Sequence, residues 1–254
     1  MGLHVASKGS GPDLVLLHGW GMNAGVWDET ACALAPYFRV HCVDLPGHGA
    51  SSDECCTLDA IADALVAALT ERVTVCGWSL GGQVALAWAL RAPRQVERLV
   101  LISSTPRFVN GMQWEYGLDA AVFDGFARDL AGDRHAVLQR FLVLQTRGDA
   151  DARELLRRLR ERLSEYGEPG VAALAAALHV LQVTDLRASL PRIAQPTLIL
   201  HGERDAIAPL AAGQYLQRSL PNAALEVFAG AAHAPFVLKP QLTARRIVEF
   251  CGEQ

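Results

Sequence analysis

The 254-residue chain alternates two kinds of hydrophobic pattern. Short, nearly unbroken apolar runs occur at 14–19 (LVLLHG), 39–45 (RVHCVDL), 73–77 (VTVCG), 98–103 (RLVLIS), 197–202 (TLILHG) and 224–230 (ALEVFAG). Runs this short and this apolar predict strands buried on both faces. LHVAS at 3–7 predicts an antiparallel edge strand. Stretches of helical period fall between them, at 24–35, 57–70, 80–91, 210–219 and 240–250. Strands alternating with helices predict an α/β fold, with a mostly parallel central sheet flanked by helices.

The rhythm breaks from 107 to 186, where every periodic stretch is helical: 118–131, 134–146, 151–166 and 170–186. The strand pattern resumes at PTLILHG, so the economical reading is an insertion over one edge of the sheet. Residues 1–106 and 187–254 then form the core, and 107–186 an all-helical lid.

Composition narrows the function classes. Hydrophobic residues make up 51% of the chain, enough for a large core, and the net charge of -4 comes without a long block of like charges. Neither a nucleic-acid partner nor a membrane partner is expected. The first residues have no basic segment followed by an apolar one, and Ala6 stands where a myristoylation signal needs Ser or Thr. No apolar run approaches the roughly 18 residues that span a bilayer. A soluble, cytoplasmic protein is expected. The cysteines at 32, 42, 55, 56, 76 and 251 show no paired metal-ligand spacing. Neither a metal site nor a catalytic thiol is expected from them.

The candidate chemistry centres on GWSLGG at 77–82. Gly77-Trp78-Ser79-Leu80-Gly81 fits G-x-S-x-G, and it sits where a strand pattern gives way to a helix pattern. A nucleophile on such a strained turn stands clear of the sheet, and the helix N-terminus behind it favours developing negative charge. Serine needs a base and a group that orients the base. Asp205 follows the strand at 197–202, and His233 follows the last strand, in the order acid then histidine. His201 is a rival base and Glu203 a rival acid. His18 and His48 read as structural, and His135 and His179 as surface or pocket residues. The oxyanion requires two N–H donors. Leu80, after the nucleophile, supplies one; Trp20, in LLHGWGMN between two glycines, is placed to supply the other.

Together LLHGWGMN, VDLPGHGAS, GWSLGG, HGERDAIAP and AAHAPF resemble the α/β-hydrolase superfamily. RFLVLQT at 140–146, VTDLR at 183–187 and the two motif tryptophans make the chain similar to its biotin-pathway branch, the carboxylesterases of pimeloyl-[acyl-carrier protein] methyl ester. The resemblance runs nearly end to end. It implies Ser79 as nucleophile, His233 as base, Asp205 as acid, and the Trp20 and Leu80 N–H groups as oxyanion donors. It also implies an acyl pocket lined by Phe141, Leu142, Val143, Leu144 and Gln145 beneath the lid. No cofactor is implied, the partner is an acyl-carrier protein, and the chain is expected to be a monomer. His48 and Ala50 depart from the Phe and Arg common in relatives; neither touches the triad.

Between 140 and 162 stand seven arginines and four acids. Arg153, Arg157 and Arg160 share one helical face. A solvated face laced with Glu–Arg pairs explains them, and so does docking of an acidic carrier protein. Arg140, Arg153 and Arg157 are the docking candidates. Ser79 argues against an aspartate-nucleophile dehalogenase or epoxide hydrolase. Still open are a general short-chain esterase, a thioesterase or C–C hydrolase of the same fold, and a non-catalytic small-molecule receptor.

Overall fold

A computed structural model describes residues 2–52 and 57–252; Cys55 and Cys56 lie outside the described residues. The elements run β1 (Val5–Lys8), β2 (Asp13–Leu17), α1 (Asp28–Leu34), β3 (Arg39–Val43), α2 (Leu58–Ala68), β4 (Val73–Trp78), α3 (Leu80–Arg91) and β5 (Val96–Ile102). Next come α4 (Ala120–Asp129), α5 (Arg134–Thr146), α6 (Ala152–Tyr166) and α7 (Val171–Val183). The chain closes with β6 (Thr197–Gly202), α8 (Leu210–Ser219), β7 (Ala223–Phe228), α9 (Pro235–Leu238) and α10 (Pro240–Gly252). The seven strands form one sheet in the order β1-β3-β2-β4-β5-β6-β7. Only β1 pairs antiparallel, against β3; the other pairings are parallel.

Helices cover the parallel sheet, so its central strands have no solvated side. All six residues of β4 are buried, as are the last four of β2. The chain leaves β2 toward β3 on one side and β4 toward β5 on the other. The order therefore reverses between β2 and β4, and a crevice opens there at the strands' C-terminal ends. α3 lies along that point and is apolar almost all round, with every residue from Leu80 to Ala89 buried. By contrast α6 buries only Leu155, Leu159 and Leu163, one stripe at helical spacing; Arg153, Arg157 and Arg160 face outward, while Arg158 and Arg162 pair with Glu29 and Asp28 of α1.

Four helices, α4 to α7, fill the stretch between β5 and β6. The part from 107 to 118 is not helical. Isolated bridges Arg107–Asp185, Val109–Leu118 and Gly111–Trp114 hold it, and the Trp114 indole N–H donates to the Arg107 carbonyl at 2.9 Å. Pro106 and Asn110-Gly111 interrupt any helix there. The helix expected at 24–35 divides into a 3₁₀ turn at Ala24–Trp27, which the Asn23 side chain caps, and α1. The four-residue α9 was too short to show a period in the sequence. No helix among the described residues is long and apolar enough to cross a membrane.

Close backbone packing sets the tolerance of the glycines. A Cβ on Gly81 would stand 2.3 Å from the Leu17 carbonyl oxygen, whereas one on Gly125 would meet nothing within 4 Å. Gly81→Ala should therefore destabilise the fold by about 2–3 kcal/mol in denaturant titration. Gly125→Ala, inside α4, should stabilise it by about 0.5–1 kcal/mol. The same sign for both substitutions would contradict this packing.

Candidate active site

Ser79 occupies the turn between β4 and α3 at φ 55° and ψ -115°, a conformation that non-glycine residues rarely adopt. Its neighbours make the turn possible. A Cβ on Gly77 would lie 2.2 Å from the Gly81 oxygen, and one on Gly82 would lie 2.2 Å from the Ser104 Oγ. The Ser79 N–H donates to Ile102 O at 3.0 Å, and the Ser104 hydroxyl donates to Ser79 O at 3.1 Å. The strain, about 1–3 kcal/mol, is held by that packing. The twelve-residue α3 begins at the next residue with no acid in its first turn, so its positive end faces the serine.

Asp205 follows β6 and His233 follows β7. The His233 Nδ1–H donates to Asp205 Oδ2 at 2.8 Å. The other carboxylate oxygen accepts from the Ile207 and Ala208 N–H groups, at 2.8 and 2.9 Å. Burial by itself would raise the Asp205 carboxyl. The charge and hydrogen bond of His233, with His201 and the Ala208 N–H, outweigh it and hold the group below its ordinary range. An ionised carboxylate on Nδ1 fixes the tautomer that leaves a lone pair on Nε2. That Nε2 is buried and makes no hydrogen bond among the described residues. The Ser79–His233 bond is thus not formed here, as is common before substrate binds. The His233 ring lies 5.6 Å from the ring of Trp78, the residue before Ser79.

The turn after β2 carries Trp20. A Cβ on Gly19 would sit 3.3 Å from Ser79 Cβ, so this turn lies directly against the serine. The Trp20 N–H makes no hydrogen bond among the described residues, and Leu80, as the first residue of α3, has no intrahelical acceptor for its own. The Trp20 ring ties the turn to the inserted helices. It meets Phe141 of α5 edge-on at 4.8 Å, and its Nε1–H donates to Leu174 O of α7 at 2.9 Å. Phe141, Leu142 and Gln145 form the buried face of α5. Leu144 is half-buried, and Val143 is 49% exposed, away from that face. Both amide atoms of the Gln145 side chain are buried without a partner among the described residues.

The rivals go elsewhere. His201 is fully buried, and its Nε2 bonds to Ala208 O at 2.7 Å, bracing the Asp205 loop. Glu203 is half exposed and accepts from the Gly230 N–H at 2.9 Å. His18 braces the turn after β2: Nδ1–H donates to Gly19 O at 2.8 Å, and Nε2 accepts from the Leu45 N–H at 2.9 Å. His48 Nδ1 lies 2.9 Å from Pro46 O. His135 is exposed and bonded to Glu168 at 2.6 Å. Burial pushes the Cys42 thiol up to about 12 and Cys76 in the same direction, so neither is nucleophilic.

Sequence reasoning missed two supports of the histidine. The Trp78 indole N–H donates to His233 O at 2.8 Å, and the Asp149 carboxylate accepts from the Ala232 N–H at 2.8 Å. Each joins one side chain to a distant backbone atom, which no local pattern encodes. The chain also holds a second Ser–His–Asp relay. Ser7 Oγ lies 2.7 Å from His41 Nδ1, and His41 Nε2 lies 2.6 Å from Asp13. Asp13 opens β2, His41 is in the middle of β3, and Ser7 is an exposed residue of the edge strand β1. Arg39 claims the same carboxylate and holds it down to about 2.

The three residue types alone therefore do not make a site. Ser79→Ala should lower ester hydrolysis by at least about 10³-fold, and Ser7→Ala should leave it unchanged in the same kinetic assay. A loss with Ser7→Ala would overturn the assignment.

Burial holds the His18 and His201 rings below their ordinary pKa of 6.5. As pH falls below that value the unfolded chain takes up protons that the folded chain refuses, so stability is full above it and declines below. For His18 at pH 5 the loss should reach about 2 kcal/mol. Asp205 adds a loss of the same sign at lower pH, as its depressed carboxyl is forced to protonate. Urea midpoints at pH 7.5, 6 and 5 check this; a midpoint independent of pH would contradict it.

The chain matches the alpha/beta hydrolase fold family over residues 12–240. It is 45% identical over 242 residues to the pimeloyl-[acyl-carrier protein] methyl ester esterase of Nitrosomonas europaea, covering 94% of this chain and 95% of that one. The protein of the same name from Chromobacterium violaceum is 43% identical over 255 residues, covering 100% of both chains. Among solved structures, an esterase from Exiguobacterium antarcticum shares the fold, with TM-score 0.88 at 24% identity over 99% of this chain and 96% of that one. By fold, by the placement of its strand-end residues and by these relatives, the chain belongs to the α/β-hydrolase family and, within it, to the pimeloyl-[acyl-carrier protein] methyl ester esterases.

Proposed function

We propose that this protein is a serine carboxylesterase that hydrolyses the methyl ester of pimeloyl-[acyl-carrier protein], releasing methanol. The observation that carries the reading is the strained Ser79 at the head of α3, with His233 held by a buried, ionised Asp205 at the neighbouring strand ends. The substrate in its relatives' names supplies the acyl group.

The chemistry follows from the geometry. His233 Nε2 takes the Ser79 proton as Oγ attacks the ester carbonyl carbon. The tetrahedral oxyanion is held by the Trp20 and Leu80 N–H groups, in the field of the α3 N-terminus. The His233 imidazolium then protonates the leaving methoxide, and methanol departs. Water, deprotonated by the same nitrogen, attacks the acyl-enzyme; Ser79 recovers its proton and the free carboxylate leaves.

Residues 107–186 act as the lid over a core of 1–106 and 187–254, since α5 and α7 pack on the oxyanion turn through Phe141 and Leu174. Phe141, Leu142 and Leu144 line the acyl pocket, with the Gln145 amide as its polar group. Val143, half exposed, stays outside the lining. The carrier protein docks on Arg140 of α5 and on Arg153 and Arg157 of α6. Arg153 is exposed and forms no ion pair among the described residues. Arg140 is engaged with Asp129 at 2.7 Å, and Arg157 with Glu154 and Glu161. Exposed pairs of this kind are worth little, so they exchange readily for the acidic groups of a partner. The enzyme works as a cytoplasmic monomer and uses no cofactor.

Purified protein should release free pimeloyl-carrier protein from its methyl ester in a way that depends on Ser79. An intact substrate, with short free esters still cleaved, would leave the triad standing and end the carrier-protein role. Arg153→Ala should raise KM for the carrier-protein ester about 3- to 10-fold more than KM for a free ester, with the gap closing as salt is added. Equal effects on both substrates would remove the docking surface.

A further inference from the structure

The backbone around His233 is suspended from two sides. On the core side, the Trp78 indole N–H donates to His233 O at 2.8 Å, the Arg204 N–H to Ala231 O at 2.9 Å, and the Gly230 N–H to Glu203 at 2.9 Å. On the other side stand the end of α5 and the loop into α6. Gln145 O accepts the His233 N–H at 3.2 Å, and the Ala150 N–H donates to Gly230 O at 2.9 Å. The one side chain in this second set is Asp149. Its Oδ2 accepts the Ala232 N–H at 2.8 Å, and its Oδ1 accepts the Asp151 N–H at 2.9 Å, which braces the carboxylate.

The same loop also lies on the acid side of the triad. Gly148 turns at φ 93°, and a Cβ there would be 3.0 Å from the Arg204 carbonyl oxygen. Residues 148–150 therefore touch the neighbours of both Asp205 and His233. Their distance from the His233 ring is short along the chain: Ala232 is the residue directly before it. An error of about 1 Å in that ring is enough to cost a reaction up to 10²-fold.

We propose that Asp149 is a positioning residue. Its carboxylate sets the register of the 229–234 loop against α5, so that His233 is brought to its working position only while the end of α5 is seated. The Nε2 atom that the mechanism uses is therefore aligned by the inserted helices as well as by Asp205. The proposal rests on the triad reading above. The core-side bonds through Trp78, Arg204 and Glu203 do not involve Asp149, so its loss leaves the loop attached but shifted.

The test compares Asp149→Ala, Asp149→Asn and the parent on p-nitrophenyl butyrate, with thermal unfolding of each. Asp149→Ala should lower kcat about tenfold, with KM within about twofold of the parent. Asp149→Asn, which keeps an acceptor oxygen for the Ala232 N–H, should recover kcat to within about threefold. The rate at which a small fluorophosphonate modifies Ser79 should follow kcat across the series. An unchanged kcat in Asp149→Ala would overturn the proposal, and so would an Asn variant no better than Ala or a loss confined to KM. His233→Ala is measured alongside. If that variant stays active, the triad reading fails, whatever Asp149 does.

Discussion

The structure depends on the close packing of the start of α3 against the ends of β4 and β2. Gly77 faces the Gly81 oxygen, Gly81 faces the Leu17 oxygen, and neither has room for a Cβ. This lets the helix begin immediately after the strand and forces Ser79 into its strained turn. From that turn much else follows. The hydroxyl stands at the sheet's C-terminal edge, the Leu80 N–H lies beside it without an intrahelical acceptor, and the helix dipole points at the same spot. The turn also falls beside the crevice where the strand order reverses, so the loops after β2, β6 and β7 can supply the remaining groups.

A second constraint is the buried charge on Asp205. Removing a carboxylate from water costs several kcal/mol. It is offset here by two backbone N–H groups and the His233 ring. Satisfying that carboxylate fixes the histidine's tautomer and tilt together. The Ser7–His41–Asp13 relay shows what is lost without such surroundings: its aspartate is shared with Arg39, and its serine sits on an ordinary exposed strand. The two groups of three side chains differ in the scaffold around them, not in the contacts among the side chains alone.

Much of this was legible in the sequence because its signals are local. Unbroken apolar runs marked the buried parallel strands, and β6 occupies 197–202 as expected from them. The switch of period at GWSLGG placed Ser79 on a strand-to-helix turn. The order of Asp205 and His233 after later strands put both at the same sheet edge. Where sequence left Glu203 beside Asp205, three-dimensional geometry separates them: Asp205 turns inward to cap the Ile207 and Ala208 N–H groups, and Glu203 turns out to Gly230. Helical period alone sets Val143 apart from the face that Phe141, Leu142 and Gln145 share, and its side chain is exposed. Trp78 and Asp149 could not, because their partners are distant backbone atoms fixed only once the sheet and helices are assembled.

We infer that the strained turn makes Ser79 the nucleophile. The most direct measurement is to stop turnover with a methyl phosphonate analogue of the pimeloyl ester and to locate the covalent adduct by peptide mass mapping. One adduct per chain is expected, on the Ser79 hydroxyl. An adduct on another residue, or ester hydrolysis that continues with no adduct at all, would contradict it.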